Sequence, residues 1–349
     1  MKTAVVLFNL GGPDRPESVR GFLRNLFGDP AILRVPWPIR PLLASFIARR
    51  RADTAAEIYR EIGGRSPILP ETEKQAAALS DALADPDMRV FIAMRYWHPM
   101  SAQTAREVKD WGADQVLLLP LYPQFSTTTT QSSLDAWQTA ARRVGLQVPT
   151  RAVCCYPTEE NFVAAYAALV KDALSSAAGK PVRVLFSAHG LPERIVTAGD
   201  PYVWQVDQGA AAIAASAGLA DGTWRVSFQS RVGPLKWVGP ATDDEIKAAG
   251  RDGIGLVVVP IAFVSEHSET LVELDIEYRK LADAAGVPTY IRVPALGTNA
   301  AFIQGLRGII ATMATRDDPK LCTHGGGRIC PSGHAGCPLA ETLAGPVAA

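Results

Sequence analysis

Apolar runs rich in valine, leucine and isoleucine recur along the chain and are separated by stretches with helical spacing of apolar residues. The runs are continuous rather than alternating, which is typical of strands whose two faces are both buried in a parallel sheet. They lie at 4–9, 90–95, 116–122, 182–188, 225–229, 254–263 and 290–296. The sequence therefore predicts an α/β fold built on doubly wound, mainly parallel sheets.

The length of 349 residues favours two domains, each large enough to bury its own core. The apolar runs divide into two similar sets around residues 141–157. We therefore expect domains at 1–157 and 158–315, followed by a cysteine-rich tail at 316–349. In sheets of this kind, ligands bind outside the carboxyl ends of the strands, so functional residues are expected in the loops that follow the strands.

The charge balance excludes one broad class of function. Lys plus Arg and Asp plus Glu both number 35, whereas a general nucleic-acid binder needs a basic surplus. The apolar start of the chain is interrupted at residues 9–13, so we interpret it as a strand and not as a signal peptide. No run of about 18 apolar residues predicts a membrane-spanning helix. We expect a cytoplasmic protein whose five cysteines form no structural disulfides.

Four glutamates follow the apolar run at 254–263 with spacings of 3, 4 and 4 residues. These are Glu266, Glu269, Glu273 and Glu277, and the spacing places them on one face of a helix. Like charges at such spacing destabilise a helix. A carboxylate row beside His267 therefore indicates a path for a metal ion or for protons. A solvated helix face remains the alternative interpretation.

A second histidine, His189, also lies where an apolar run ends. It belongs to the segment SAHGLP at 187–192, which is followed by GDPY at 199–202 and, much later, by FVSEHSETLVELDIEY at 263–278. These segments together resemble the ferrochelatase family. The resemblance extends in order through NLGGP at 9–13, YREIGG at 59–64, MRYWHP at 94–99, YPQFS at 122–126 and VGPLKW at 232–237.

The resemblance implies a lyase of haem biosynthesis that inserts Fe(II) into protoporphyrin IX to form protohaem, with release of two pyrrole protons. It also implies two Rossmann-like domains of the chelatase type with the porphyrin in a cleft between them. The implied partners are the porphyrin, ferrous iron and the preceding enzyme of the haem pathway.

Insertion of iron requires a base near the macrocycle and groups that deliver iron or remove protons. His189 is the first choice, because a histidine with an ordinary pKa near 6.5 is largely neutral at pH 7 and can accept a proton or bind iron. The resemblance adds His267 and Glu269 as catalytic residues, with Glu269 beside His189 as a ligand for substrate Fe(II). Glu266, Glu273 and Glu277 would carry protons or hydrated iron.

Arg95 resembles the family arginine that lies near the porphyrin, and a planar guanidinium suits a propionate carboxylate. A surface ion pair is the alternative role. A large aromatic ring also needs apolar walls, and four residues from the family blocks are expected to form them. They are Leu10, Tyr96, Tyr122 and Phe263.

Three cysteines, Cys322, Cys330 and Cys337, lie in the glycine-rich tail with spacings of 8 and 7 residues. With Cys154 or Cys155 they would complete the four-cysteine ligand set of a [2Fe-2S] cluster, which several ferrochelatases carry. Animal ferrochelatases take the remaining cysteine from the Tyr-Pro-Gln block, where this chain has Thr127. A zinc site with His324 or His334, or a tail with unused thiols, remains open.

Residues 30–51 form an amphipathic segment in which Ile39, Leu42, Leu43, Phe46 and Ile47 share a helical face, with Trp37 before them and arginines at 49–51 after them. This pattern predicts either a buried core face or an apolar lip that rests peripherally on an anionic membrane.

Other functions remain compatible with the same residues. Within the enzyme class these are a coproporphyrin ferrochelatase and a chelatase for another tetrapyrrole or metal. Outside it they are a non-catalytic haem- or porphyrin-binding protein and an iron–sulfur sensor, because fold does not imply function. The presence of His189, His267 and Glu269 favours catalysis.

Overall fold

Two sheets form the framework of the computed structural model, which describes residues 1–231, 233, 235–315 and 321–340. Strands β1 to β4 are Thr3–Asn9, Met88–Met94, Gln115–Pro120 and Thr150–Val153. Strands β5 to β8 are Val182–His189, Trp224–Gln229, Gly255–Pro260 and Tyr290–Arg292. A last strand, β9, covers only Leu321–Cys322.

Helices alternate with the strands. Helices α1 to α6 are Val19–Gly28, Arg40–Arg60, Ile68–Leu83, Ser101–Trp111, Thr130–Val144 and Glu160–Ser176. Helices α7 to α11 are Glu193–Thr197, Tyr202–Ala217, Thr242–Asp252, Tyr278–Ala284 and Ala300–Ala314. A short 3₁₀ turn, Pro16–Ser18, precedes α1, and a π-helix, Glu269–Glu277, precedes α10.

The strand order is β2-β1-β3-β4 in the first sheet and β6-β5-β7-β8 in the second, and the neighbouring strands run parallel. Every residue of the internal strands β1, β3 and β7 is buried, whereas the edge strands β2 and β6 retain partly exposed positions. Continuous burial is expected where helices cover both faces of a parallel sheet. The predicted α/β class with parallel sheets is confirmed.

The chain divides into two compact units. Among the described residues, the first unit holds 1–122, 126–153 and 307–315, and the second holds 123–125, 154–306 and 321–340. The domain bounds of 1–157, 158–315 and 316–349 stay a prediction, and residues 316–320 and 341–349 of the predicted tail lie outside the described part of the chain.

Strand register aligns the carboxyl ends within each sheet. In the second sheet His189 is the register partner of Gln229, and Ser187 that of Pro260, so β5, β6 and β7 end close to one another. In the first sheet Asn9 is the partner of Met94. Residues that follow these strands are therefore brought to one edge of each sheet, where ligands of such sheets bind.

Candidate active site

The carboxyl edge of the second sheet gathers three separate segments. His189 is the last residue of β5, and Ser230 follows the last residue of the neighbouring strand β6. Strand β7 leads through residues 261–268 into the π-helix that begins at Glu269. The parallel arrangement thus places a histidine, a serine and a carboxylate at one edge, although they are far apart in sequence.

His189 and Glu269 form the central contact of this edge, with 2.8 Å between Nδ1 of the imidazole and Oε2 of the carboxylate. The same Oε2 accepts hydrogen bonds from Gln229 Nε2 at 3.4 Å and Ser230 Oγ at 3.1 Å. On the other side, His267 Nε2 lies 3.8 Å from Glu269 Oε1. The ring of His267 lies against that of Phe263, with centroids 4.5 Å apart. Glu269 therefore lies between both predicted catalytic histidines.

The environment shifts the pKa of both partners in opposite directions. Burial lowers the pKa of His189, but the charge of Glu269 and its hydrogen bond outweigh burial, so that the net pKa is raised. Burial raises the pKa of Glu269, yet His189 and His267 hold it well below its usual value. Glu269 consequently stays ionised, and His189 binds a proton more readily than a free imidazole does.

Ser230 contacts both Glu269 and Glu273. The sequence alone does not reveal this connection. The Oγ of Ser230 contacts Oε2 of both carboxylates, and its backbone N–H donates to Glu273 Oε1 at 2.8 Å. A serine hydroxyl has one proton, so it cannot donate to both carboxylates at once. Burial, followed by the charge of Glu269, raises the pKa of Glu273. A proton on Glu273 would satisfy these contacts, because the Ser230 hydroxyl could then accept from Glu273 and donate to the ionised Glu269.

The four glutamates of the predicted row have different surroundings. Glu269 and Glu273 face Ser230, whereas Glu277 is exposed. Glu266 Oε1 lies 2.8 Å from Arg292 Nη1 and accepts a hydrogen bond from the backbone of Ala295. The helix from Glu269 is a π-helix with i→i+5 hydrogen bonds, whose wider turn keeps residues four apart on one face. Glu266 precedes this helix and belongs to an ion pair instead.

The carboxyl edge of the first sheet holds the other residues predicted to contact substrate. Leu10 follows β1, Arg95 and Tyr96 follow β2, and Tyr122 follows β3. The backbone N–H of Arg95 donates to the carbonyl of Asn9 at 2.9 Å, which continues the strand pairing into these loops. Leu10 and Tyr122 are half-buried and Tyr96 is buried. Burial raises the pKa of Tyr122, so its hydroxyl stays protonated. Phe263 belongs to the second unit.

Arg95 is held by residues that sequence reasoning does not identify. Its Nη2 donates to Asp29 Oδ2 at 2.8 Å, and its Nε donates to Ser132 Oγ at 2.6 Å. Asp29 Oδ2 also accepts a hydrogen bond from the hydroxyl of Tyr96 at 2.7 Å. Asp29 and Ser132 lie 66 and 37 residues from Arg95 in sequence, and no motif links them to it.

The cysteines lie in the second unit, and all five are buried thiols without a disulfide. The side chains of Cys154, Cys155, Cys330 and Cys337 belong to one buried cluster, in which the first two sulfurs are 3.6 Å apart. Cys322 is buried as well, and its carbonyl accepts a hydrogen bond from the backbone of Cys154 at 2.7 Å. In the described ranges, no three or more His, Cys, Asp or Glu side chains are arranged as a metal-ligand set.

One polar side chain is directed at the thiols. Gln205, which is fully buried, donates from Nε2 to Cys155 Sγ at 3.4 Å and to Cys330 Sγ at 3.2 Å. A hydrogen bond with Cys330 lowers the pKa of Cys337 to about 6. Of the histidines of the zinc alternative, the ring of His334 lies 5.9 Å from that of Trp204, whereas the His324 backbone donates to the Cys155 carbonyl and its buried Nδ1 has no hydrogen-bond partner among the described residues.

The amphipathic segment exposes its large apolar side chains. Trp37, Leu42, Phe46 and Ile39 are 76%, 75%, 57% and 54% exposed, although α2 buries Ala44 and Ala48. The predicted lip is therefore an unburied apolar face. Of the helices described, none has the length and apolar character needed to cross a membrane.

Comparison with known proteins decides the family. The ferrochelatase family matches residues 2–314. The chain is 50% identical over 351 residues to the ferrochelatase of Hyphomonas neptunium, covering 97% of this chain and 95% of that protein. It is 53% identical over 345 residues to the ferrochelatase of Phenylobacterium zucineum, covering 97% and 98%. The chain belongs to the ferrochelatase family. The predicted resemblance is thus confirmed, and with it a lyase that inserts iron into a porphyrin in haem biosynthesis.

Solved structures show the same fold at much lower identity. SirB from Bacillus subtilis with Fe³⁺ matches this ferrochelatase with a TM-score of 0.54 and 15% identity, covering 90% of this chain and 96% of the other. The sirohydrochlorin chelatase SirB from Bacillus subtilis subspecies spizizenii in complex with cobalt gives a TM-score of 0.55 and 13% identity, covering 91% and 97%. These matches support a chelatase-type fold and carry no information on substrate.

Proposed function

We propose that this ferrochelatase inserts Fe(II) into protoporphyrin IX and that His189 accepts a pyrrole proton in the reaction. The observation that carries the proposal is the 2.8 Å contact between His189 Nδ1 and Glu269 Oε2. This contact orients the imidazole ring of His189 and leaves its Nε2 available to the substrate. As Fe(II) bonds to the pyrrole nitrogens, two protons leave the macrocycle. The porphyrin thereby gains two negative charges, which balance the two positive charges of the iron.

A proton taken up by His189 needs an exit, and the carboxylates of the π-helix offer one. Glu269 is ionised, Ser230 contacts both Glu269 and Glu273, and burial raises the pKa of Glu273, which makes that carboxylate easier to protonate. Glu277 lies exposed at the far end. Glu266 is a further predicted member of the path, but its carboxylate also holds Arg292. Glu269 and His189 would bind incoming Fe(II).

On the porphyrin side, Arg95 would bind a propionate, and Leu10, Tyr122 and Phe263 would contact the ring. Tyr96, also predicted to contact the ring, is 1% exposed and would instead support Arg95 from within the protein. Protoporphyrin carries vinyl groups where coproporphyrin carries further propionates, so a coproporphyrin enzyme needs additional cations. The exposed apolar face around Trp37 and Leu42 suits the more apolar protoporphyrin.

His189→Ala tests the assignment. We expect metal insertion to fall by roughly two or more orders of magnitude, as loss of a general base usually causes. Porphyrin binding, followed by fluorescence quenching, should stay close to that of the unaltered protein. Turnover near the original level in this variant would contradict the role of His189.

For the cysteines, the proposal is a [2Fe-2S] cluster held by Cys322, Cys330, Cys337 and one of the Cys154–Cys155 pair. Thiolates are the ligands of such clusters, and N–H donors to sulfur, as Gln205 provides, tune them. Because Gln205 contacts both Cys155 and Cys330, we favour Cys155 as the fourth ligand. When bound, the cluster would supply a one-electron redox centre, and these residues would tie the C-terminal segment to the start of the second unit.

The cluster is tested by anaerobic purification followed by visible spectroscopy and by iron and sulfide analysis. We expect coloured protein with about two irons and two sulfides per chain. Serine in place of Cys322, Cys330 or Cys337 should remove the colour. Of the two variants Cys154→Ser and Cys155→Ser, one should remove the colour and the other should keep it. A colourless protein with one bound zinc would refute the cluster and leave the chelatase function intact.

We further propose a cytoplasmic enzyme that binds membranes peripherally through the exposed face of Trp37, Leu42 and Phe46. Arg50 lies 5.5 Å from the ring of Phe46, so cationic and apolar groups adjoin, as interfacial binding requires. Delivery of porphyrin by contact with the preceding enzyme of the pathway is compatible with this arrangement. Co-sedimentation with anionic vesicles should be lost in Leu42→Asp, and equal binding by both proteins would refute the membrane contact.

A further inference from the structure

A cavity of about 480 Å³ lies in the first unit beside Arg95. Its lining includes Arg24, Asn25, Asp29, Ser45 and Arg95, which come from α1, α2 and the loops that follow α1 and β2. Arg24 is exposed and forms no ion pair with any described residue. Since Asp29 is paired with Arg95, the charged groups around this cavity leave one positive charge without a counterion. Such a cavity favours an anionic group such as a carboxylate.

The guanidinium of Arg95 is fixed at two of its nitrogens and on one of its faces. Nη2 donates to Asp29 and Nε to Ser132, while Ser132 Oγ in turn donates to Asp29. The guanidinium carbon lies 4.8 Å from the centre of the Tyr96 ring. Within the described part of the chain, Nη1 forms no hydrogen bond, and it is the nitrogen left to bind a ligand.

Asp29 is the common partner in this arrangement. Its Oδ2 accepts hydrogen bonds from Arg95, Tyr96 and Ser132, and its Oδ1 accepts one from the backbone of Ala31. The side chain of Asp29 is 3% exposed and that of Arg95 is 19% exposed. The carboxylate is therefore out of reach of a bulky ligand, while the arginine that it holds is not.

We propose that Asp29 is a positioning residue that orients Arg95 to bind a propionate carboxylate of the porphyrin. This inference rests on the proposed function, because it assigns Arg95 to the substrate. Asp29 does not touch the substrate; it fixes the plane of the guanidinium, so that Nη1 meets the carboxylate without loss of side-chain freedom at the moment of binding.

An alternative role for Asp29 predicts that its substitution changes porphyrin affinity in the opposite direction. If Asp29 served only to neutralise Arg95, removal of its charge would leave a full positive charge near the cavity and strengthen binding of a carboxylate. If Asp29 positions Arg95, the same change releases the guanidinium and weakens binding. The direction of the change in affinity therefore separates the two roles.

Asp29→Asn is the variant of choice, because it keeps the shape of the side chain and removes the charge. Porphyrin affinity is measured by fluorescence quenching, with protoporphyrin IX and its dimethyl ester in the same detergent, and KM and kcat for Fe(II) insertion are measured alongside. We expect the dissociation constant and KM for the free acid to rise roughly tenfold, with kcat changed less than threefold. The ester, which has no carboxylate, should bind both proteins alike.

Equal weakening for acid and ester, unchanged affinity, or tighter binding of the acid would each overturn the positioning role. Ser132→Ala, which removes the partner of Arg95 Nε, provides a second route if Asp29→Asn does not fold, and should raise the same two constants for the free acid alone. Asp252→Asn is the matched control, since it opens another Arg–Asp pair, with Arg183 at the amino end of β5, away from the carboxyl edges of both sheets. Porphyrin binding is measured independently of turnover. If the unaltered protein did not insert iron, the proposed function would be refuted, but the binding constants of the variants would still test the positioning role.

Discussion

Glu269→Gln tests the site most sharply, because the substitution keeps the size of the side chain and removes its charge. In the structure Glu269 Oε2 lies 2.8 Å from His189 Nδ1 and also contacts Gln229 and Ser230. An amide at this position can retain part of this contact pattern but cannot hold a proton or raise the pKa of His189. We expect kcat to fall by about a hundredfold or more, the range of general acid–base effects.

The assay is anaerobic Fe(II) insertion, with kcat and KM measured separately and porphyrin affinity measured by fluorescence quenching. Porphyrin affinity should change little, because Glu269 is assigned to protons and iron and not to the ring. Glu277→Gln is the matched control: the same chemical change, made at the exposed end of the π-helix. It should lower kcat by no more than a few-fold.

The pH dependence of kcat gives a second test of the role of Glu269. Without the charge of Glu269, the pKa of His189 falls, because that charge and its hydrogen bond are what raise it. The rising limb of the pH profile of kcat should therefore move to lower pH in Glu269→Gln. If both glutamine variants were equally mild, or if the limb stayed in place, the contact between Glu269 and His189 would have no catalytic role.

Three further predictions follow from the same contacts. In the unaltered protein, turnover should fall as the pH drops through the raised pKa of His189, since protonated His189 cannot accept a pyrrole proton, and a profile flat across that range would contradict the base. Ser230→Ala should lower kcat by roughly tenfold at unchanged porphyrin affinity, because it interrupts the contact between Glu269 and Glu273; an unchanged kcat would refute the relay. Glu266→Gln should cost about 1–3 kcal/mol in the free energy of unfolding, measured with urea, because it weakens a half-buried pair with Arg292; an effect on kcat alone would instead favour the predicted path role.

The parallel α/β class could be predicted from sequence because burial on both faces makes internal strands continuously apolar. Strand β1 and strand β7 show this directly: each is a run of mostly aliphatic residues, and every residue of each is buried. His189 and the glutamates were recognisable because they follow such runs and because their segments resemble a known family. The fold places both at the carboxyl edge of one sheet, as the rule for such sheets anticipates.

The partners of these residues could not be predicted, because they come from other strands. Ser230 reaches Glu269 only because β6 and β7 both pair with β5, and Arg292 reaches Glu266 only through the pairing of β7 and β8. The spacing of the glutamates indicates a shared helical face, yet it does not distinguish an α-helix from the π-helix that the chain forms, nor does it separate Glu266 from the others. Asp29 and Gln205 carry no local motif, and their roles appear only from hydrogen bonds.

The most direct test of the central claim is anaerobic incubation of the purified protein with Fe(II) and, in parallel, with protoporphyrin IX or coproporphyrin, followed by visible spectroscopy. We predict conversion of the protoporphyrin spectrum to that of protohaem, with slower conversion of coproporphyrin and conversion roughly two or more orders of magnitude slower in His189→Ala. A porphyrin that binds but keeps its metal-free spectrum would contradict the claim and favour a porphyrin carrier, and faster conversion of coproporphyrin would refute the proposed substrate.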